Sequence, residues 1–110
     1  MKIVNEFKAL SDETRLRIIN ILLKNNLCVC EIMDVLGMTQ SRISRHMGIL
    51  KQAELIEEER NGKWVIYKIG EENKSILSYV KQQTKNEQIF NSDKEKIEKT
   101  LKKGLCPIKH

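Results

Sequence analysis

The spacing of the apolar residues changes after Leu55, and this change restricts the possible folds more than any other feature of the sequence. Before it, apolar residues recur every three or four positions, as they do on one face of an amphipathic helix. The three helical stretches have apolar positions at Leu16, Ile19 and Leu23; at Val29, Ile32, Val35 and Leu36; and at Ile43, Met47 and Leu50. Gly37 predicts the end of the second helix, and Thr39 predicts the cap of the third. Two helices joined by a tight glycine-containing turn indicate a helix-turn-helix.

After Leu55 the chain alternates in the manner of β-strands. Asn61-Gly62 separates the run 57–60 from the run 63–69, and Asn-Gly is a strong hairpin signal because both residues tolerate the positive φ of a type I′ turn. We interpret Glu57-Glu58-Glu59 as a solvated strand face. A helix-turn-helix followed by a hairpin predicts a mainly α fold with a β-hairpin wing, known as a winged helix-turn-helix.

The third helix is the candidate for reading DNA. If its apolar residues face inward, the ~100° per residue of an α-helix turns a short, polar and basic face outward. Arg45 is placed for a bidentate contact with guanine, and the hairpin tip is placed to touch flanking phosphates. The predicted DNA-contacting residues are Gln40, Ser41, Arg42, Ser44, Arg45, Arg60 and Lys63. His46 lies about 60° from the inward face, so we expect it to be packed and hydrogen-bonded.

The charge balance agrees with a nucleic-acid partner. Lys and Arg number 20 against 15 Asp and Glu, giving a net charge of +5, which favours a polyanion. The sequence offers neither a signal-peptide core nor an apolar run long enough to cross a membrane, so we expect a cytoplasmic protein without a membrane partner. A nucleophile and base in a recognisable context are also lacking, so we do not expect an enzyme.

The C-terminal part is predicted to be helical from Glu71, interrupted at 91–93 and helical again until Gly104. We therefore divide the chain into a DNA-binding and dimerisation domain, residues 1–90, and a C-terminal helix with a cysteine-containing tail, residues 91–110. The apolar residues near each end have little partner surface within one small domain, which favours a homodimer. The expected interface residues are Val4 and Phe7 with Ile76, Leu77 and Val80.

Four segments, residues 10–15, 27–32, 41–46 and 61–67, resemble the ArsR/SmtB family of metalloregulatory repressors, and the cysteine-containing segment 27–32 is similar to its arsenic-responsive branch. The resemblance implies a homodimer that binds double-stranded operator DNA in its ion-free state and leaves when arsenite or antimonite binds cysteine thiolates. Two positions differ from the family pattern. Met33 stands where the best-known arsenite sensors have a third cysteine, and Glu54 stands where the family commonly has glycine before the wing.

The chain has three cysteines, an odd number that predicts no disulfide framework. Thiolates select soft ions, and the resemblance implies three of them around arsenite or antimonite. Cys28 and Cys30 supply two, near a helix start whose dipole favours the thiolate form. We expect Cys106 to be the third, from the same or the partner subunit, although a small thiol could replace it. Residues two apart on a helix point about 200° apart, so we expect an ion that joins Cys28 and Cys30 to distort that helix.

Two other regulatory functions fit the same cysteines. Soft divalent ions favour the same ligands, so a cadmium- or lead-responsive repressor using Cys28, Cys30 and Cys106 is one alternative. A thiol-redox transcriptional regulator is the other. A zinc or nickel site on the late helices is disfavoured, because residues 71–90 contain no histidine. A thiol oxidoreductase is disfavoured too, since it would need Cys-X-X-Cys near a βαβ unit.

Overall fold

The computed structural model describes residues 1–107, and for Asn73 the backbone alone. Within this part of the chain, α-helices surround a three-stranded antiparallel sheet in which β3 lies between β1 and β2. The helices are α1 (Lys2–Leu10), α2 (Glu13–Leu22), α3 (Val29–Leu36), α4 (Gln40–Gln52), α5 (Lys74–Thr84) and α6 (Gln88–Lys102). The strands are β1 (Leu27–Cys28), β2 (Ile56–Asn61) and β3 (Trp64–Ile69), and a 3₁₀ turn (Glu71–Asn73) precedes α5. The winged helix-turn-helix prediction is confirmed.

The helix-turn-helix consists of α3 and α4, and its turn follows the predicted chemistry. Gly37 adopts a left-handed conformation with φ of 65° at the end of α3. Thr39 caps α4, and its Oγ1 accepts a hydrogen bond from the Arg42 backbone N–H at 3.4 Å. The inward residues of α4 are buried in the main core, which also includes residues of α2 and α3. The opposite face of α4 is therefore exposed to solvent.

The junction between α4 and the wing is a left-handed helix end. The Leu55 N–H donates to the Leu50 carbonyl at 3.0 Å, and the Glu54 N–H donates to the Lys51 carbonyl at 2.9 Å. This pair of bonds is a Schellman motif, whose left-handed position usually holds glycine. Glu54 occupies that position with φ of 62°, and among the described residues it is the one non-glycine with positive φ. The difference from the family pattern therefore falls at a position where a side chain is strained.

The hairpin turn differs from the prediction by one residue. Asn61 pairs with Trp64 at the end of the ladder, so the two turn residues are Gly62 and Lys63. Gly62 has φ of 63°, whereas Lys63 does not have positive φ. Positive φ at the first central residue alone is typical of a type II′ turn, so the type I′ turn over Asn61-Gly62 was wrong. Both turn types match the right-handed twist of a hairpin, and Gly62 can supply the positive φ that each of them requires.

The three glutamates of β2 do not share one solvated face, because side chains alternate along a strand. Glu57 and Glu59 are exposed, but Glu58 is half-buried on the opposite face and forms an ion pair with Lys51 of α4. The prediction of a single solvated face was wrong for Glu58. This pair ties the wing to the end of α4.

The predicted interruption at 91–93 was also wrong, because α6 continues through it and the break lies at 85–87. Asp93 is only 1% exposed, and its carboxylate accepts hydrogen bonds from Arg17 Nε at 2.9 Å and Nη2 at 3.0 Å. This pair holds α6 against α2 and outweighs the weak helix propensity of the local sequence. The division of the chain at residue 90 stays a prediction. None of the described helices combines the length and apolar character that crossing a bilayer requires.

Candidate DNA interface and thiol cluster

The predicted DNA-contacting residues of α4 lie on its solvent side. Gln40, Ser41, Arg42, Ser44 and Arg45 are all exposed. Their neighbours Ile43, Met47 and Leu50 point into the core, so the helix presents polar side chains on one side only. Hydroxyl side chains on this surface are short, which allows the helix backbone to approach a groove closely.

The start of α4 and the wing enclose a cleft of about 440 Å³, which we call the wing cleft. Its lining includes Cys28, Cys30, Gln40, Ser44, Arg60 and Lys63. The structure thus brings the two α4 residues together with the two wing residues, whereas Ser41, Arg42 and Arg45 lie outside the lining. Cys28 and Cys30 form part of the same walls, so the thiols adjoin the predicted DNA surface.

The acidic groups of the wing lie close to basic groups of α4 and of the wing itself. Within the described residues, Glu58 pairs with Lys51, and Glu57 lies 4.0 Å from Lys68. The Lys63 ammonium sits 5.8 Å from the centroid of the Trp64 ring, at a distance that allows a cation–π contact. The hairpin tip presents Arg60 and Lys63 beside the cleft, and the positive charge of Arg60 also acts on Glu58.

His46 is packed and hydrogen-bonded, as predicted. Its Nδ1 lies 3.2 Å from Arg15 Nη1, and Arg15 Nε donates to the Ala9 carbonyl at 2.7 Å. These contacts connect α4 to the end of α1. Burial lowers the pKa of His46, the Asp12 carboxylate 3.9 Å away opposes this effect, and the positive charges of Arg15, Arg42 and Arg45 add to it. The neutral imidazole is therefore the form that this site favours.

Cys28 and Cys106 meet in the interior, although 78 positions separate them in sequence. Cys28 ends β1, where it pairs with Ile66 of the wing, and it is 1% exposed. The chain turns after α6 and returns Cys106 to this point, where the two sulfurs pair as a disulfide with Cα atoms 6.2 Å apart. The expectation of no disulfide does not match this structure. The tail reaches the cysteines of its own chain, an option that sequence alone had left open.

Cys30 lies beside this pair, and we call Cys28, Cys30 and Cys106 the thiol cluster. Its Sγ is 3.6 Å from the carbonyl oxygen of Leu105, the residue before Cys106. Cys30 and Trp64 are half-buried against the hydrophobic group formed by Cys28, Ile66 and Cys106. Met33 instead packs against the main core.

Cys28 lies outside helix α3, contrary to the geometry assumed from the sequence. Cys28 has φ of −78° and ψ of 161°, so it is an extended residue that precedes α3 rather than a helical one. The separation of about 200° between residues two apart holds only within a helix. The predicted distortion of the helix start is therefore not required for Cys28 and Cys30 to face one ion.

Glu31 is a site residue that sequence reasoning missed. Its side chain is 2% exposed, and its Oε1 accepts a hydrogen bond from the Cys28 N–H at 2.9 Å. One of its carboxylate oxygens and the sulfurs of Cys28 and Cys106 all lie within 4.8 Å of one another. The sequence signal for Glu31 was the capping box, in which an acidic residue follows the helix cap by three positions. The cap of a capping box is usually serine or threonine, so the cysteine at this cap made the pattern hard to recognise.

Asp34 fixes the point from which the tail departs. Thr100 Oγ1 donates to Asp34 Oδ2 at 2.6 Å, and Lys103 Nζ lies 2.9 Å from Oδ1. These hydrogen bonds lower the pKa of Asp34. They join α3 to the end of α6, and Lys103 lies three residues before Cys106. This contact between α3 and α6 therefore helps to hold Cys106 near Cys28 and Cys30.

An apolar face is exposed on α1 and α5. Phe7 is 61% exposed and Tyr79 is 63% exposed, and both line a groove with Leu10, Leu16, Ile76 and Val80. Of the predicted interface residues, Val4 and Phe7 are exposed and Ile76 is half-buried, but Leu77 and Val80 are buried within the protomer. Tyr79, which sequence reasoning did not name, is the most exposed apolar residue of α5.

Comparisons with known proteins identify the family. The family model for bacterial regulatory proteins of the arsR family matches residues 12–58. The arsenical resistance operon repressor of Staphylococcus xylosus is 34% identical over 100 residues, covering 90% of this chain and 90% of its own. The chain belongs to the ArsR family. The arsenical resistance operon repressor of Escherichia coli K12 is 42% identical over 64 residues, 57% of this chain, and that match spans 55% of its own length.

Two further comparisons are with a cadmium resistance regulator and with a homodimeric DNA-binding domain. A cadmium resistance regulatory protein, the CadC homolog of Staphylococcus aureus, is 34% identical over 74 residues, which is 66% of this chain and 61% of its own. The homodimeric winged helix-turn-helix DNA-binding domain of Mb0332 from Mycobacterium bovis superposes with a TM-score of 0.70 at 25% identity. That superposition covers 79% of this chain and 82% of the domain.

Proposed function

We propose that the protein is a metalloid-responsive transcriptional repressor. It binds operator DNA as an ion-free homodimer and releases the DNA when arsenite or antimonite binds cysteine thiolates. The observation that carries the proposal is the return of Cys106 to Cys28 beside the wing cleft. This contact brings a distant thiol to the two cysteines that adjoin the DNA-facing side chains. The similarity to arsenical resistance repressors supports the choice of ion.

DNA binding is assigned to the exposed face of α4 and the wing tip. Arg45 reads guanine in the major groove, and Arg60 and Lys63 contact phosphates beside it. An operator made of two half-sites requires two copies of the protein related by two-fold symmetry. The exposed face of α1 and α5, with Phe7 and Tyr79, supplies an apolar surface for the second copy.

The ion site consists of the thiol cluster in its reduced form. Arsenous acid and three thiols exchange three As–O bonds for three As–S bonds, and three water molecules leave. Cys28 and Cys106 are already adjacent, whereas Cys30 must turn its sulfur away from the Leu105 carbonyl. Cys28 precedes α3 and Cys30 lies in its first turn, so the proposed movement of the Cys30 sulfur does not require a helix to unfold.

The proposal is tested by titrating a reduced protein–operator complex with arsenite, antimonite, cadmium, lead and zinc, using a phosphine as the reductant. Cys28→Ser, Cys30→Ser and Cys106→Ser should keep operator affinity, and release by arsenite should be lost or weakened at least about tenfold, near 1.4 kcal/mol. Met33→Leu is the matched control. It replaces a neighbouring sulfur-containing side chain with one of similar volume, and it should respond as wild type does.

Two results would count against this assignment. Unchanged arsenite affinity in Cys106→Ser, measured without small thiols, would reduce the protein ligands to Cys28 and Cys30. An operator complex that arsenite does not release would remove arsenite as the inducer.

A cadmium- or lead-responsive repressor with the same cysteines is the first alternative, and the similarity to a cadmium resistance regulator supports it. Release of DNA by cadmium or lead at lower concentration than by arsenite would favour it.

A thiol-redox regulator is the second alternative, and the pairing of Cys28 with Cys106 supports it. Hydrogen peroxide would take two electrons and two protons from the thiols, forming one disulfide and two water molecules. Release of DNA by peroxide from metal-free wild type, but not from Cys106→Ser, would favour this function.

A further inference from the structure

Glu31 is a buried acid at the thiol cluster, and the three-thiolate site does not use it as a ligand. Buried carboxylates are costly unless they are hydrogen-bonded, paired with a cation or bound to a metal. Glu31 faces two cysteine sulfurs that become thiolates when they bind an ion. With both thiolates formed, these three groups carry three negative charges in an interior site, and a cation is the species that compensates them.

The capping hydrogen bond does not prevent Glu31 from serving as a ligand. Its Oε1 accepts the Cys28 N–H at 2.9 Å, and a carboxylate has two oxygens with about four lone-pair directions. The bond also orients the carboxylate, because it attaches Glu31 to the backbone of the residue that carries the Cys28 sulfur. Orientation of a ligand by such a hydrogen bond is common at metal sites.

The sulfurs of Cys28 and Cys106 are joined as a disulfide in the structure, and reduction leaves two sulfurs and one Glu31 oxygen, not three sulfurs, as the gathered donor atoms. Among the described residues, Cys28, Glu31 and Cys106 have their ligand atoms within 4.8 Å of one another, while the Cys30 sulfur lies on the Leu105 carbonyl. Zinc and chemically similar divalent ions accept thiolate and carboxylate ligands together. Arsenite differs, because its proposed ligands are three thiolates.

We propose that Glu31 is a ligand for a soft or borderline divalent cation, together with Cys28 and Cys106. The same cluster then accepts two classes of ion through overlapping sets, with Cys30 specific to arsenite and Glu31 specific to the divalent ion. When the divalent ion binds, the two thiols release their protons to the solvent and the carboxylate supplies an oxygen ligand. This inference rests on the reduced thiol cluster of the proposed function.

The test compares Cd²⁺ and arsenite binding to phosphine-reduced full-length protein in the absence of DNA. Trp64, the only tryptophan, packs against the cluster, so its fluorescence reports both ions. Glu31→Gln is the decisive variant because glutamine can also accept the capping bond from Cys28. We expect Glu31→Gln to weaken Cd²⁺ binding at least tenfold and arsenite binding less than twofold. Cys30→Ser should show the reverse pattern, and Met33→Leu should change neither.

Two outcomes of these titrations overturn the proposal. Cd²⁺ affinity within twofold of wild type in Glu31→Gln means that Glu31 is a cap and not a ligand. Equal weakening of both ions means that Glu31 acts by positioning Cys28. If arsenite does not bind wild type at all, the arsenite-responsive function fails, while the Cd²⁺ titrations still decide the role of Glu31.

A spectroscopic measurement on wild type keeps the proposal testable if Glu31→Gln does not fold. The ¹¹³Cd chemical shift distinguishes sulfur from oxygen ligands, and we expect a mixed shell. A shell made only of sulfur atoms overturns the assignment of Glu31.

Discussion

Replacing Glu54 with glycine should stabilise the protein, because this residue holds a backbone conformation that a side chain disfavours. Glu54 has φ of 62° at the left-handed position of the helix end. A left-handed conformation costs a residue with a Cβ roughly 1–2 kcal/mol. Glycine removes this strain. It also makes the unfolded chain more flexible, which lowers the free energy of unfolding by about 0.4–1 kcal/mol. The midpoints of these two ranges leave an expected net stabilisation of about 0.8 kcal/mol.

The surrounding structure prevents the strain from relaxing by a local shift. A Cβ built on Gly70 would lie 2.8 Å from the Glu54 carbonyl oxygen, and the Gly70 N–H donates to the Leu55 carbonyl at 2.9 Å. The backbone at Glu54 is thus held against the end of β3. The Glu54 carboxylate contributes little, because its ion pair with Lys2 spans 3.9 Å between half-exposed side chains.

The assay is thermal and urea unfolding of wild type, Glu54→Gly and Glu54→Ala at one protein concentration. Glu54→Ala is the matched control, since it removes the carboxylate but keeps the Cβ, and it should unfold close to wild type. Glu54→Gly should melt about 2–4 °C higher than Glu54→Ala, given roughly 4 °C per kcal/mol for a domain of this size. Equal stability of the two variants would refute the argument from backbone strain.

Three further predictions concern DNA, pH and assembly. Arg45→Ala should cost roughly 1–3 kcal/mol in operator binding, and equal weakening on random DNA would make Arg45 a phosphate contact. Because the folded state lowers the pKa of His46, its neutral form stabilises the fold fully above its ordinary pKa of 6.5 and this contribution disappears as pH falls below it. Urea unfolding at pH 7 and pH 5.5 should therefore show a smaller loss for His46→Gln than for wild type, and equal losses would contradict this. Phe7→Asp with Tyr79→Asp should shift sedimentation from dimer to monomer, and a dimer that persists at low micromolar concentration would place the interface elsewhere.

The fold was predictable because its signals are local. The spacing of Ile43, Met47 and Leu50 is a property of one helix, and the chemistry of Gly37 and Thr39 is a property of one turn. The exact turn in the hairpin was not predictable in the same way. Asn61-Gly62 and Gly62-Lys63 share the residue that permits positive φ, so the cross-strand pairing decides between them.

Some of the features that sequence reasoning missed depend on residues far apart in the chain. Asp93 stays helical because Arg17, 76 positions away, binds its carboxylate. The approach of Cys106 to Cys28 was expected, but its origin in the same chain depends on the packing of α6 against α3, where Asp34 holds the end of α6. Analysis of the residue pattern within one segment cannot detect such long-range contacts.

Under the proposed function, an ion in the thiol cluster acts on the DNA-contacting residues over a short distance. Cys28 belongs to β1, and its backbone pairs with Ile66 of β3, which leads to the wing turn. An ion that draws Cys28 and Cys106 toward itself therefore acts on the strand that carries Trp64 and on the wall of the wing cleft. An ion changes DNA affinity only if it binds the DNA-free conformation more tightly than the DNA-bound one. The coupling is reciprocal, so operator DNA must weaken ion binding by the same factor with which the ion weakens DNA binding.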